Sequence, residues 1–161
     1  MSISTNTTIN TTTTAELNSR LIAASEDGES GVVQLLLQLG ADVNARRAMA
    51  LRAASEYGHA EVVRLLLDAG ANVYAVNGSA LLDAVERGHA EVVRLLLKSG
   101  ADVNAHNGHE LWLASANGYA DVVGMLLAAG ADVTAKDSRA LRAASANGHP
   151  EVVKILTDWE S

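Results

Sequence analysis

Gly88-His89-Ala90-Glu91-Val92-Val93-Arg94-Leu95-Leu96-Leu97-Lys98-Ser99-Gly100-Ala101-Asp102-Val103-Asn104-Ala105 decides how this chain is read, because the chain contains the stretch several times over. Gly58 to Leu67 repeats its first ten residues unchanged, and near copies begin at Gly28, Gly118 and Gly148. The interval is thirty residues each time. A fixed period of this size implies stacked supersecondary units in place of one closed core.

Each unit has a physical reading. The run Val92-Val93-Arg94-Leu95-Leu96-Leu97 is too apolar for a one-sided surface helix, so it belongs between neighbouring units. Ahead of it, Ala80 to Arg87 predicts a shorter helix of smaller residues that ends at Gly88, where a residue without Cβ takes the left-handed conformation that closes helices. Gly100 gives the same stop signal after the second helix. Nine of the thirteen glycines fall in these two registers. Ala101 to His109 then reads as an extended excursion to the next helix, with Asn77-Gly78 and Asn107-Gly108 as two-residue hairpin signals.

The pattern A-L-x-x-A-S-x-x-G-H-x-E-V-V-x-L-L-L-x-x-G-A-D-V-N-A resembles the ankyrin repeat over about residues 18 to 161. That unit has about thirty-three residues and opens with Thr-Pro-Leu-His, where this chain has Ser79-Ala80-Leu81-Leu82 and Arg139-Ala140-Leu141-Arg142. The missing three residues come out of the segment between Ala105 and Leu111. The chain thus resembles the short variety found in large DNA viruses and single-celled eukaryotes. The resemblance implies an all-α solenoid of five helix-turn-helix units with shortened hairpin fingers.

Composition narrows the function. Apolar content of 48% is ample for a core, and with no cysteine there are no disulfides, thiolate metal sites or cysteine nucleophiles. The net charge of −7 and five aromatic residues argue against nucleic acid as a partner. Met1-Ser2-Ile3-Ser4-Thr5 lacks the features of a secretory signal and no segment reaches membrane-spanning length, so a soluble, cytoplasmic or otherwise intracellular monomer is expected.

Residues 1–12, threonine and asparagine without charge, read as a disordered tail. Thr13 with Glu16 makes a capping-box signature, after which Leu17, Leu21 and Ala24 share a helical face. The single domain then divides into repeats at about 13–45, 46–75, 76–105, 106–135 and 136–161. Repeat one is looser, with Gly31 where its neighbours have Glu61 and Glu91, and repeat four carries Tyr119 for histidine and Gly124-Met125 for Arg-Leu. A glycine inside a helix costs about 1 kcal/mol relative to alanine, so repeat four is expected to be softer. Pro150 suits the first position of a helix, and Trp159 is expected to pack at the C-terminal end.

No phosphate loop, nucleophile elbow or His-Glu-x-x-His motif appears, so no enzyme and no cofactor is expected. His59, His89 and His149 recur at one turn position and read as structural hydrogen-bonding residues. His106 and His109, with Asp137 or Glu110, have the residue types of a metal site, but a variable loop tip accounts for them with no thiolate to help.

The surface that differs between repeats remains. Residues at one register form rows about 10 Å apart, and the resemblance implies that the rows before the helix-one glycine and along the finger make a concave binding face. These rows run Glu26, Glu56, Glu86, Ala116, Ala146; Asp27, Tyr57, Arg87, Asn117, Asn147; Arg46, Val76, His106, Lys136; and Met49, Ser79, His109, Arg139. A further row holds Ile22, Arg52, Leu82, Trp112 and Arg142, with Asp83 beside it where Ala53 and Ala143 stand. The face would be acidic in its N-terminal half and small and neutral in its C-terminal half, beneath a mildly basic ridge. Tyr57 and Trp112 are the candidate anchors, and a salt bridge to Arg52 or Arg87 is the structural alternative for Asp83. A non-catalytic module binding a protein partner through these residues is the functional expectation; a structural or self-associating repeat protein is the alternative. Asn44 and Asn104, each following Asp-Val with Leu36 or Leu96 eight residues earlier, also resemble sites where ankyrin repeats are hydroxylated by an asparaginyl oxygenase. Turn hydrogen bonding is their structural role.

Overall fold

The thirty-residue period becomes two ladders of leucine. Leu21, Leu51, Leu81 and Leu111 form one and Leu36, Leu66, Leu96, Leu126 and Leu156 the other, each with at most 1% of its surface exposed in the computed structural model. The structure describes residues 13–159, apart from the side chains of residues 136 and 137. The expected tail over residues 1–12 lies outside the described residues.

The helices are α1 (Thr14–Glu26), α2 (Ser30–Gln38), α3 (Ala45–Glu56), α4 (Ala60–Asp68), α5 (Ala75–Glu86), α6 (Ala90–Lys98), α7 (His109–Asn117), α8 (Ala120–Ala128), α9 (Ala135–Ala146) and α10 (Pro150–Trp159). Odd-numbered helices pack side by side in one layer and even-numbered helices in the other, so each repeat contributes one helix to each layer. Valines 33, 63, 93 and 123 and alanines 24, 54, 84, 114 and 144 fill the space between layers. Burying a leucine or valine contributes about 1.5–3 kcal/mol, so each repeat is held mainly by its neighbours.

Thr13 and Glu16 form the predicted capping box, with the Thr13 hydroxyl accepting from the Glu16 N–H at 3.2 Å and the Glu16 carboxylate accepting from the Thr13 N–H at 2.7 Å. Leu17, Leu21 and Ala24 are buried on one face, as their spacing predicts. Trp159 departs from expectation: it is 52% exposed.

The fingers differ from the predicted hairpins. No strand occurs among the described residues. Instead Arg46, Arg47 and Ala48 have φ of 50°, 62° and 56°, and Val76, Asn77 and Gly78 repeat this left-handed turn. Backbone bonds from Ala48 N–H to the Asn44 carbonyl (3.0 Å) and from Gly78 N–H to the Tyr74 carbonyl (3.3 Å) close the turns. The Asn-Gly pairs do report positive φ, as a hairpin turn requires. A hairpin also needs a returning strand, and here the chain passes straight into the first helix.

A glycine and a histidine lock successive repeats. Gly58 has φ +77°, and the ring of His89 lies against its face so closely that an added Cβ would stand 2.6 Å from Nδ1. The same ring bonds through Nε2 to the Glu56 carbonyl at 3.0 Å, taking up an acceptor left open at the helix end. His59 bonds the Glu26 carbonyl (2.9 Å) and His149 the Ala116 carbonyl (3.0 Å) in the same way. Tyr119 lies over Gly88 at the remaining joint, where the described residues show no such side-chain bond to the Glu86 carbonyl.

Gly124 sits inside α8 with nothing within 4 Å of where its Cβ would be. Gly124→Ala is therefore expected to raise stability by about 1 kcal/mol, read as a higher urea midpoint. A lower midpoint would show that the bare backbone at this site is needed.

Candidate functional site

The rows that vary between repeats stand at the C-terminal ends of α1, α3, α5, α7 and α9 and on the turns before them. Glu26 and Glu86 are exposed and Glu56 is half-buried. Tyr57 stands 50% exposed, with its phenol held above the usual tyrosine range by the negative charge of Glu26 first and Glu56 second. Its ring stacks on His59 with centroids 6.4 Å apart.

Ion pairs cross the joint between repeats two and three. Arg87 bonds Glu56 at 3.0 Å, and Arg52 bonds Asp83 at 3.1 Å. Of the two partners open to Asp83 on sequence, the structure selects Arg52. Asp83 is nonetheless shifted upward, because burial disfavours its charge more than Arg52 favours it, and Glu56 and Glu86 add repulsion.

The sign of the pH effect follows. The folded protein takes up the Asp83 proton at higher pH than the unfolded chain, so this group stabilises fully below the ordinary aspartate value of about 3.9 and loses that contribution as pH rises through its raised folded value. Asp83→Ala, the residue found at 53 and 143, is expected to leave stability at pH 7 unchanged or slightly higher and to flatten this part of the pH profile. Urea titrations of parent and variant between pH 3 and pH 7 check it; a clear loss at pH 7 would show that the pair with Arg52 outweighs the burial.

In the C-terminal half, Trp112 is flanked by His109, with ring centroids 5.0 Å apart, and by Arg139, whose guanidinium carbon lies 3.8 Å from the ring centroid. Asn147 donates to the Ala116 carbonyl at 2.7 Å, while Asn117, Arg142 and Met49 are exposed, Met49 to 41%. Arg46 is exposed and reaches the Ser19 hydroxyl at 3.5 Å. The side chains of Lys136 and Asp137 lie outside the described residues. His106 turns inward, its Nδ1 lying 2.5 Å from a Glu110 carboxylate oxygen. Among the described residues no group of three or more histidine, aspartate or glutamate side chains is placed to hold a metal ion.

Two features escaped the sequence reading. Glu110 has none of its surface exposed, at the register of the buried alanines Ala50 and Ala80 and of Ala140; comparing that register across repeats would have found it. Asn44 and Asn104, the modification candidates, also do more than close their own turns. Asn44 donates to the Gly70 carbonyl (3.1 Å) and accepts from the Asn72 N–H (2.7 Å), and Asn104 does the same with Gly130 (3.0 Å) and Asp132 (3.2 Å). Each clamps one inter-helix loop to the next.

Stacked helix pairs that present rows of variable side chains define a repeat solenoid, whose working surface is spread over successive units. The family model for ankyrin repeats (3 copies) matches residues 21–107 and 75–137, and the chain belongs to the ankyrin-repeat family. Ankyrin repeats are in general protein–protein interaction modules, and the family is generally non-catalytic. No curated protein matches the chain. Among the described residues no helix is long and apolar enough to cross a membrane.

Proposed function

We propose that the chain is a non-catalytic scaffold that holds a partner protein against the row of first-helix ends, the concave face of its family. The observation that carries this reading is Tyr57, a half-exposed aromatic beside the carboxylates of Glu26 and Glu56. An ordered surface of this kind spares the entropy of arranging its side chains at binding, and aromatic residues are the usual anchors. The partner carries basic groups that meet Glu26, Asp27 and Glu86, and binding weakens with salt, since exposed charges are screened.

Affinity capture from the native source tests the reading with the parent and two folded variants. One is Tyr57→Ala, Arg87→Ala, Trp112→Ala; the other is Glu26→Gln, Glu86→Gln. A protein retained by the parent, lost by the first variant and weakened by the second supports it. Equal capture by all three would refute this face as the binding surface, and a loss confined to the first would leave the face but remove the basic partner.

A further inference from the structure

Repeat four departs from its neighbours at four independent places. Glu110 is fully buried where repeats two and three have alanine; one of its oxygens faces His106 and the other, Oε2, has no hydrogen-bond partner. The buried Ser115 hydroxyl also has none, whereas Ser25 and Ser55 at the same register each bond the carbonyl four residues back at 2.7 Å. Tyr119 replaces the histidine that ties each of the other joints to a helix-end carbonyl. Gly124 stands inside α8. The contact between α5 and α7 is also the least extensive of those between neighbouring first helices.

Glu110, Ser115 and Gly124 weaken the same unit, and at its joint with repeat three Tyr119 packs its ring on the core without the helix-end hydrogen bond that the histidines make. A buried polar atom without a partner loses its hydration and gains nothing in return. A helix glycine adds freedom to the unfolded chain. In a stack where each unit touches only its neighbours, such deficits are not averaged over the molecule and remain local.

From these features we infer that the solenoid opens at the joint between repeats three and four by local unfolding of α7 and α8, while repeats two and three stay closed. The α9–α10 unit, docked on α7 and α8, opens with them. His109, Trp112, Asn117 and Arg139 all ride on the part that yields, so half of the variable surface is assembled only in the closed form.

Site-resolved amide hydrogen exchange on the full chain tests this without any partner. Amides of α7 and α8 are expected to exchange about tenfold or more faster than those of α5 and α6, through local opening. The variant Glu110→Ala, Tyr119→His, Gly124→Ala, with its fold checked by circular dichroism, is expected to remove the contrast. Equal protection of the two helix pairs in the parent would overturn the inference, as would a folded triple variant that keeps the contrast. If the triple variant does not fold, Gly124→Ala alone is read instead: it should slow exchange in α8 about fivefold, and unchanged exchange would count against the inference.

Discussion

Gly58→Ala is expected to cost about 3–5 kcal/mol. A non-glycine residue in the left-handed conformation costs about 1–2 kcal/mol, and Gly58 has φ +77°. The larger part comes from the neighbour. The added Cβ would stand 2.6 Å from Nδ1 and 2.9 Å from Cγ of His89, and Cγ lies too near the backbone for the ring to swing clear. Moving the ring breaks its bond to the Glu56 carbonyl, worth about 0.5–1.5 kcal/mol, and disturbs the packing between repeats two and three. Guanidinium denaturation in a double-mutant cycle separates the two parts: in a His89→Ala background the substitution should cost only the backbone share, about 1–2 kcal/mol. The same cost in both backgrounds would mean that the ring and the glycine are not coupled.

Asn104→Ala should lower stability by about 2 kcal/mol, the sum of two hydrogen bonds of about 0.5–1.5 kcal/mol each. The amide donates to Gly130 and accepts from Asp132, so its loss strips both groups of their partner across the repeat boundary. Tyr74 holds the same register between the clamps of Asn44 and Asn104, 61% exposed and making neither bond among the described residues. Tyr74→Asn therefore offers the opposite experiment: supplying the missing clamp should gain about 1 kcal/mol, or about 2–4 °C in melting temperature for a chain of this size. A Tyr74→Asn protein that melts no higher, together with an Asn104→Ala protein that melts no lower, would reduce these asparagines to closers of their own turns.

The architecture was legible because the features that set it recur. Leucines at thirty-residue intervals have to face the same neighbour, and glycines after each helix mark its end whatever the surroundings. The capping box at Thr13 was readable for a related reason, since it is a local contact that needs no knowledge of the stack. What could not be read arises between repeats or breaks their pattern. Asn44 is a turn residue to anyone looking at its own loop, and its bonds to Gly70 and Asn72 exist only once the next loop is laid beside it. Asn77-Gly78 signalled positive φ correctly and the helix from Ala80 was read as well, yet the dipeptide alone did not say that no paired strand would flank it. In the variable rows, residue types and registers were readable, but not which charges would pair: Arg87 turns to Glu56 and Arg52 to Asp83, leaving Glu26 and Glu86 as the more exposed carboxylates.

The histidine locks also have a direction, and direction matters to a chain made from one end. Every such bond reaches backwards, from a later repeat to a helix end made about thirty residues earlier. While the ribosome is at work, the carbonyl of Glu26 therefore waits for His59 and that of Glu56 for His89. At about 5–20 residues per second the wait is roughly 2–6 s per repeat, long compared with the microsecond formation of a helix. The growing end of the nascent solenoid is thus always its unfinished end, and repeats one, two and four are sealed by histidine only when their successors arrive.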